Sequence, residues 1–548
     1  MFHKTLKIHP KDNVWVALRD LSKGENIDLE NGFVKLVQDV PAKHKYAESV
    51  IRKGENIYMY GVVVGKAVHD IPAGGILTTE NVTNKSAEYG AKKETLTWEA
   101  PDVSKYKGKT FMGYHRSDGQ VGTANYWLVI PLVFCENRNV NIIKDAFMEE
   151  LGFSKPNPYK SIVKQMVKQY EGGNLSDIGE LTVEQAIEDT DSKIFDQLDG
   201  IKFLTHEGGC GGIRQDSEAL CALFAGYINN PNVAGATVLS LGCQNAQVAL
   251  LMEKLQAINF DQNKPLIILE QQKEGTEKTL LTKAIKQTFL AMVEANKTQR
   301  APAPLSKLKV GLECGGSDGF SGISANPSVG HASDLLAALG GSTILSEFPE
   351  LCGVEQELIN RCENVELANK FEKLIRTYEA SAEAVGSGFD MNPSPGNIRD
   401  GLITDAMKSA GASKKGGTST IVDVLDYTEQ VTKPGLNLLC TPGNDVESTT
   451  ALAGSGAIII LFTTGLGTPT GNPVAPVIKI SSNTKMAEKM ADIIDVNTGE
   501  VITGEKTIEE MGEQLLDFII EVASGRIKTK AMILGQDDFI PWKRGVSL

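Results

Sequence analysis

The sequence lacks most of the features that assign a class at a glance. No two cysteines are spaced as CxxC, and eight cysteines in 548 residues are too sparse for a disulfide framework. A paired-cysteine zinc site is not expected, and reduced thiols are. There is no basic excess. The net charge is −14, which argues against nucleic acid or an anionic membrane as a partner, since both reward positive surfaces. An anionic substrate would need local positive charge to overcome that field. Long apolar runs are missing too. The most apolar stretches, LVIPLVF from Leu128 and AIIILF from Ala457, are strand-length and too short to span a bilayer. The opening MFHKTLKIHP has no apolar run of signal-peptide type, so a cytoplasmic location is expected. Neither GxxxxGK[ST] nor GxGxxG after a first strand occurs, which removes the usual nucleotide loops.

What remains is ordinary for a globular protein, with 41% hydrophobic and 23% charged residues. The length is too great for one core and predicts two to four domains. The first hundred residues carry short β-type runs, NVWVAL, GFVKLV and NIYMYGVVVG, divided by glycine turns. KGENI occurs twice there, at Lys23–Ile27 and Lys53–Ile57. Residues 1–98 are read as a small β-rich domain and 99–110 as a linker. Beyond them strands alternate with amphipathic helices, so the body is α/β with largely parallel sheets. It divides into a central α/β domain over 111–390 and a C-terminal α/β domain over 391–548.

The chemistry gathers where strands end. IKFLT is followed by HEGGCGG, ATVLSL by GCQN, PLIILE by QQKEG, and KVGLE by CGGSDGFSG. Ligands of open parallel sheets bind beyond the carboxyl ends of the strands, and glycines let the backbone approach them closely. Taken singly, each is a glycine-rich turn. Four at one sheet edge point to a shared polar site holding His206, Glu207, Cys210, Cys243, Gln271, Gln272, Glu313, Cys314 and Asp318. Imidazole, thiolate and carboxylate are metal-ligand types, suited to iron, zinc or copper. Cysteine placement leaves an iron–sulfur cluster open as well. Cys221, Cys352 and Cys362 read as core; Cys135 and Cys440 end apolar strands and fit either role. Two later loops, LLCTPGND and TTGLGTPTGNP, offer hydroxyls and backbone N–H groups to an anionic or polyhydroxylated ligand.

These segments resemble the altronate/galactarate dehydratase family. DNVWVAL, HKYA and VVVGKAVHDIPAGG resemble its N-terminal SAF-type domain, of β-clip fold. GLECGGSDGFSGISANP, LGCQNAQ, SEFPELCGVEQ, NPSPGN, PGLNLLCTPGND and TTGLGTPTGN follow in family order. The resemblance implies a hydro-lyase, closest to altronate dehydratase, that converts a sugar acid to a 2-keto-3-deoxy acid. It implies a divalent metal, Fe(II) first, with manganese or magnesium as alternatives, and a homodimer. His44, Glu313 and Asp318 are the expected acid/base residues. His206, Cys210, Cys243 and Cys314 are the expected metal set. Arg116, Asn125, Asn444 and Thr468 are expected at the substrate. The family's arginine before Asn125 is Ala124 here. Galactarate dehydration and sulfolactate-type cleavage are the alternatives within the family; a non-catalytic metal- or sugar-acid-binding protein is the alternative outside it.

Overall fold

The computed structural model describes residues 4–29, 32–94, 96–154, 157–173, 175–183 and 193–548. Its N-terminal part is built of short antiparallel strands. Thr5–Leu6, Val14–Ala17 and Lys45–Ala47 form one sheet, Asn26–Leu29 pairs with Gly32–Lys35, and Asn56–Met59, Val62–Ala67 and Val82–Thr83 form a third. One set of their apolar residues, Val14, Val16, Ala47, Ile57, Met59 and Val64 among them, joins the large core that continues through the C-terminal half, while Trp15, Ile27, Val34 and Tyr46 belong to a small core of their own.

Two parallel sheets follow. The four-stranded one has the order Gly200–Phe203, Tyr126–Pro131, Val233–Ser240, Leu266–Glu270. Its inner strands are buried along their whole length, as expected of a sheet covered by helices on both faces. The seven-stranded sheet runs Ile421–Leu425, Gly435–Leu439, Ser342–Leu345, Lys309–Cys314, Ile459–Thr464, Val477–Ser481, Val496–Asn497, again all parallel. It therefore joins strands from both sides of residue 390. A small antiparallel sheet of Val121–Gly122, Thr110–His115 and Arg300–Pro304 stands apart from both.

The strand Lys309–Cys314 thus does not extend the sheet of IKFLT, ATVLSL and PLIILE. The four glycine-rich ends divide three to one between two sheets, which corrects the expectation of a single shared edge. Alternating strand and helix signals cannot say which strands pair, because pairing is decided by long-range crossover geometry. In the seven-stranded sheet the chain leaves Lys309–Cys314 for the strands on one side. It later returns as Ile459–Thr464 on the other side. That reversal opens a crevice at the carboxyl end of Lys309–Cys314, the usual place for a ligand in such a sheet. The helix Ile508–Ala523 begins after Thr507, which forms a reciprocal cap with Glu510. It packs on the helix Ala325–Ala338, which follows the first strand. No helix of the described residues is long and apolar enough to cross a membrane.

Candidate active site

At the crevice of the seven-stranded sheet the buried residues are charged. Cys314, Glu347 and Glu350 place one ligand atom each within 4.8 Å of one another. Lys415 Nζ lies 2.6 Å from Cys314 Sγ and 2.8 Å from Glu347 Oε2, and Lys408 Nζ lies 2.6 Å from Glu350 Oε1. Cys314 Sγ is 3.1 Å from Glu350 Oε2. Glu313, next to Cys314, accepts from Ser346 at 2.9 Å and Ser448 at 2.6 Å through Oε2. The Oε1 atoms of Glu313 and Glu347 are buried without a hydrogen-bond partner. So many charges leave water only where they are paired, and even then at a cost that function usually explains.

Local structure holds these groups in place. Glu347 has φ 65° and ψ 59°, a left-handed conformation that is costly for a non-glycine residue. It is fixed from both sides. Its N–H donates to Thr441 Oγ1 at 2.8 Å, and its Oε2 accepts from the Cys314 N–H at 3.0 Å. Pro349 then opens a short 3-10 turn, Phe348–Leu351, that presents Glu350. Gly315 admits Asp445 from the neighbouring helix start: a Cβ there would sit 2.1 Å from Asp445 Oδ2.

The environment sets the protonation states. Burial, with Glu347 and Glu350 adding, pushes the Cys314 thiol well up. Burial, with Glu347 adding, also drives Glu313 well above the carboxylate range. Glu347 is raised by burial despite Lys415. Burial would raise Glu350 too, but Lys408 and Lys415 outweigh it and keep it ionised. Asp445 is pushed up to about 7, by burial first and then by Glu347 and Glu350. One carboxyl group of the cluster is thereby poised to change charge near neutrality.

The N-terminal part closes one side of this region. Lys43 Nζ lies 3.0 Å from Asp318 Oδ2 and 2.7 Å from Asp400 Oδ1. The fully buried Lys45 donates to the Gly401 carbonyl at 2.7 Å, and burial lowers its ammonium to about 7. His44, between them, is half-buried, with Nδ1 3.3 Å from the Ala42 carbonyl. Desolvation lowers its pKa, partly offset by the Ala42 carbonyl and by Asp400.

Three family models cover this chain in order. They are the altronate/galactarate dehydratase SAF domain over residues 3–85, the D-galactarate dehydratase/altronate hydrolase second domain over 113–296, and the D-galactarate/altronate dehydratase C-terminal domain over 305–547. The chain is 34% identical over 526 residues to the altronate dehydratase of Escherichia coli K12, covering 95% of each. It belongs to the D-galactarate/altronate dehydratase family. The altronate dehydratase of Bacillus subtilis 168 is likewise 34% identical, over 95% of both chains. The L-threo-forming galactarate dehydratase of E. coli K12 is 31% identical over 96% of this chain and 93% of its own length.

Within this family frame, the expected residues fall into three groups. Cys314 and Glu313 lie in the buried cluster, and His44 lies on the loop docked beside it. Asp318 is close by but occupied. Its Oδ1 accepts from the Phe320 and Ser321 amides and the Ser321 and Ser482 hydroxyls, and its Oδ2 from Asn483 and Lys43. Through Lys43 it anchors the N-terminal domain. Asn444 caps the helix Asp445–Gly454 through Oδ1 and is exposed, and Thr468 lies on a half-exposed loop, bonded to Thr470.

The others lie away from this cluster. His206 is buried with Nε2 2.7 Å from the Pro131 carbonyl and Nδ1 accepting from the Gly208 amide at 2.9 Å, so no lone pair is left for a metal. Burial lowers it to about 4. Cys210 and Cys243 are exposed on the four-stranded sheet and do not converge with Cys314. Arg116 and Asn125 precede the strand Tyr126–Pro131 and so sit at the amino edge, away from the ligand end. Arg116 Nε donates to the Pro231 carbonyl at 2.8 Å and its Nη2 to Asn125 Oδ1 at 3.0 Å.

Sequence reasoning missed Glu347, Glu350, Lys408 and Lys415, and quoted the loop LLCTPGND without singling out Asp445. The one available signal was charge inside otherwise apolar or small-residue segments, SEFPELCGVEQ and AMKSAGASKKGG.

Proposed function

We propose that this enzyme dehydrates an altronate-type aldonate to a 2-keto-3-deoxy acid, removing the C2 proton and releasing the C3 hydroxyl. The observation that carries the reading is the buried Cys314–Glu347–Glu350 trio, flanked by Lys408 and Lys415 at the sheet crevice. The named relatives, altronate dehydratases over 95% of the chain, support the substrate class. A thiol, two carboxylates and the unpartnered Glu347 Oε1 make a donor set that fits a divalent cation, Fe(II) first. When bound, it would supply Lewis-acid polarisation of the substrate's oxygen atoms.

The chain's own residues do the rest. Lys408 and Lys415 keep positive charge beside the position where negative charge develops as the C2 proton leaves. Asp445, titrating near 7, takes that proton. His44, carried on the docked loop, gives a proton to the departing C3 hydroxyl. The Lys43–Asp318 and Lys45–Gly401 contacts hold this loop down and exclude water from the reacting centre. The test is anaerobic incubation with Fe(II) and a panel of altronate, galactarate and sulfolactate, with trapping of the 2-keto acid. Altronate should turn over fastest. Metal-loaded protein that forms no 2-keto acid from any of them refutes the reading.

A further inference from the structure

The carboxyl edge of the four-stranded sheet carries a second set of thiols that the dehydration chemistry leaves unused. Of the eight cysteines, Cys135, Cys210 and Cys243 are exposed, while Cys221, Cys314, Cys362 and Cys440 are buried and Cys352 is half-buried. The three exposed ones lie in the segments that follow three neighbouring strands, Tyr126–Pro131, Gly200–Phe203 and Val233–Ser240. The chain passes from the middle strand first to one side and then to the other, so these loops surround the reversal crevice of this sheet. The loops are tied to one another. Phe134 N–H donates to the Gly208 carbonyl at 3.1 Å, and Ala246 N–H to the Gly209 carbonyl at 3.0 Å. Gly209, at φ 96°, lets its loop press onto the first: a Cβ there would meet the Leu132 carbonyl oxygen at 2.2 Å. Beside Cys210 lies a cavity of about 340 Å³, also lined by Glu207, Asp216, Trp542 and Lys543.

We infer that Cys135, Cys210 and Cys243 hold an iron–sulfur cluster, with one iron left open towards this cavity. Strands in a sheet lie about 4.8 Å apart, so thiols on three neighbouring ends are brought within reach of one small inorganic core. Among the described residues they are not a trio of ligand atoms mutually within 4.8 Å, whereas Cys314, Glu347 and Glu350 are. A single ion gathers its ligands that tightly; a cluster spreads its thiolates over several iron atoms. A fourth thiolate is absent from this edge, because Cys221 is fully buried within the helix Arg214–Asn229. Three thiolates leave one iron without a protein ligand, facing the cavity and an oxygen-bearing small molecule. This inference is independent of the proposed dehydration, because it is read without turnover.

The full chain is purified anaerobically and assayed for iron, acid-labile sulfide and the broad visible absorption that dithionite bleaches. Iron and sulfide in near-equal amounts are expected. Cys135→Ser, Cys210→Ser and Cys243→Ser should each lower sulfide at least tenfold, while Cys314→Ser and Cys352→Ser retain it. Iron without sulfide in the wild type, or zinc alone, overturns the inference. So does sulfide that survives all three serine variants. If a serine variant fails to fold, reconstitution of the metal-free wild type with ferrous iron and sulfide decides. The same protein alkylated at its exposed thiols is the control, and equal uptake by both refutes the site.

Discussion

Replacing Lys415 by methionine tests whether the buried charges at the crevice are mutually dependent. The ammonium is 1% exposed and lies 2.8 Å from Glu347, itself 1% exposed, and 2.6 Å from Cys314 Sγ. Methionine roughly keeps the volume and removes the charge. Breaking a buried pair from one side leaves the other charge stranded and costs about 3–5 kcal/mol. For a domain of this size that is a fall in melting temperature of roughly 6–20 °C. The loss should depend on pH. Burial already raises Glu347 above its unfolded value of about 4.3, and without Lys415 it rises further. A carboxyl raised in the folded state costs nothing at pH below the unfolded value and progressively more as pH climbs to the folded one. The variant should therefore be nearly as stable as the wild type near pH 4 and much weaker at pH 8. Adding Glu347→Gln removes the stranded charge and should recover about 2–3 kcal/mol as coupling energy. The assay is thermal unfolding of metal-free protein by circular dichroism across that pH range. A single variant that loses under about 1 kcal/mol at pH 8, or a double variant no better than the single, refutes the reasoning.

Three further outcomes are expected. Lys43→Met strands Asp318, which is fully buried, and should cost about 3 kcal/mol and speed proteolysis between residues 85 and 100, read by limited digestion. Arg116→Met should destabilise by about 1–3 kcal/mol by unpairing the Pro231 carbonyl and Asn125, yet leave metal content and the KM of the folded fraction unchanged, because it sits at the amino edge. Asp445→Asn should abolish an inflection near pH 7 in kcat/KM; stability tied to the raised carboxyl is present below its unfolded pKa and lost as pH rises through about 7, so the variant's stability curve should be flatter over that range.

Local signals made the elements legible. Apolar runs of strand length and glycine-rich ends marked the strands. Which strands share a sheet was not legible, since that depends on crossovers spanning hundreds of residues. The same gap explains the metal set. His206 and Cys210 have a ligand-like spacing, but Gly208 and Gly209 turn the chain so that the imidazole is bonded to backbone while Cys210 stays exposed, and the two do not serve one ion. Arg116 looked like a carboxylate clamp because arginine suits that role chemically. Only the strand direction shows that it lies at the wrong end. Glu347, Glu350, Lys408 and Lys415 were overlooked for the opposite reason: in sequence they are ordinary charged residues, and only burial makes them unusual.

Burial also answers how a chain of net charge −14 could accept an anion. Near the crevice the protein supplies Lys408 and Lys415 from the C-terminal domain, and Lys43 and Lys45 from the docked N-terminal loop. Pairing alone would cancel most of that charge, since Lys43 faces two aspartates and the other domain's lysines face two glutamates. Desolvation tips the balance. It pushes the Cys314 thiol and Glu313 well into their neutral forms and holds Asp445 near half-titration, which removes negative charge while Lys408 and Lys415, raised by the glutamates beside them, stay positive. A field set by selective protonation works only while water is kept out. The contacts of Lys43 and Lys45 are therefore part of the site's electrostatics as well as of its architecture. Loosening the N-terminal domain should weaken binding of a carboxylate substrate even though neither lysine need touch it.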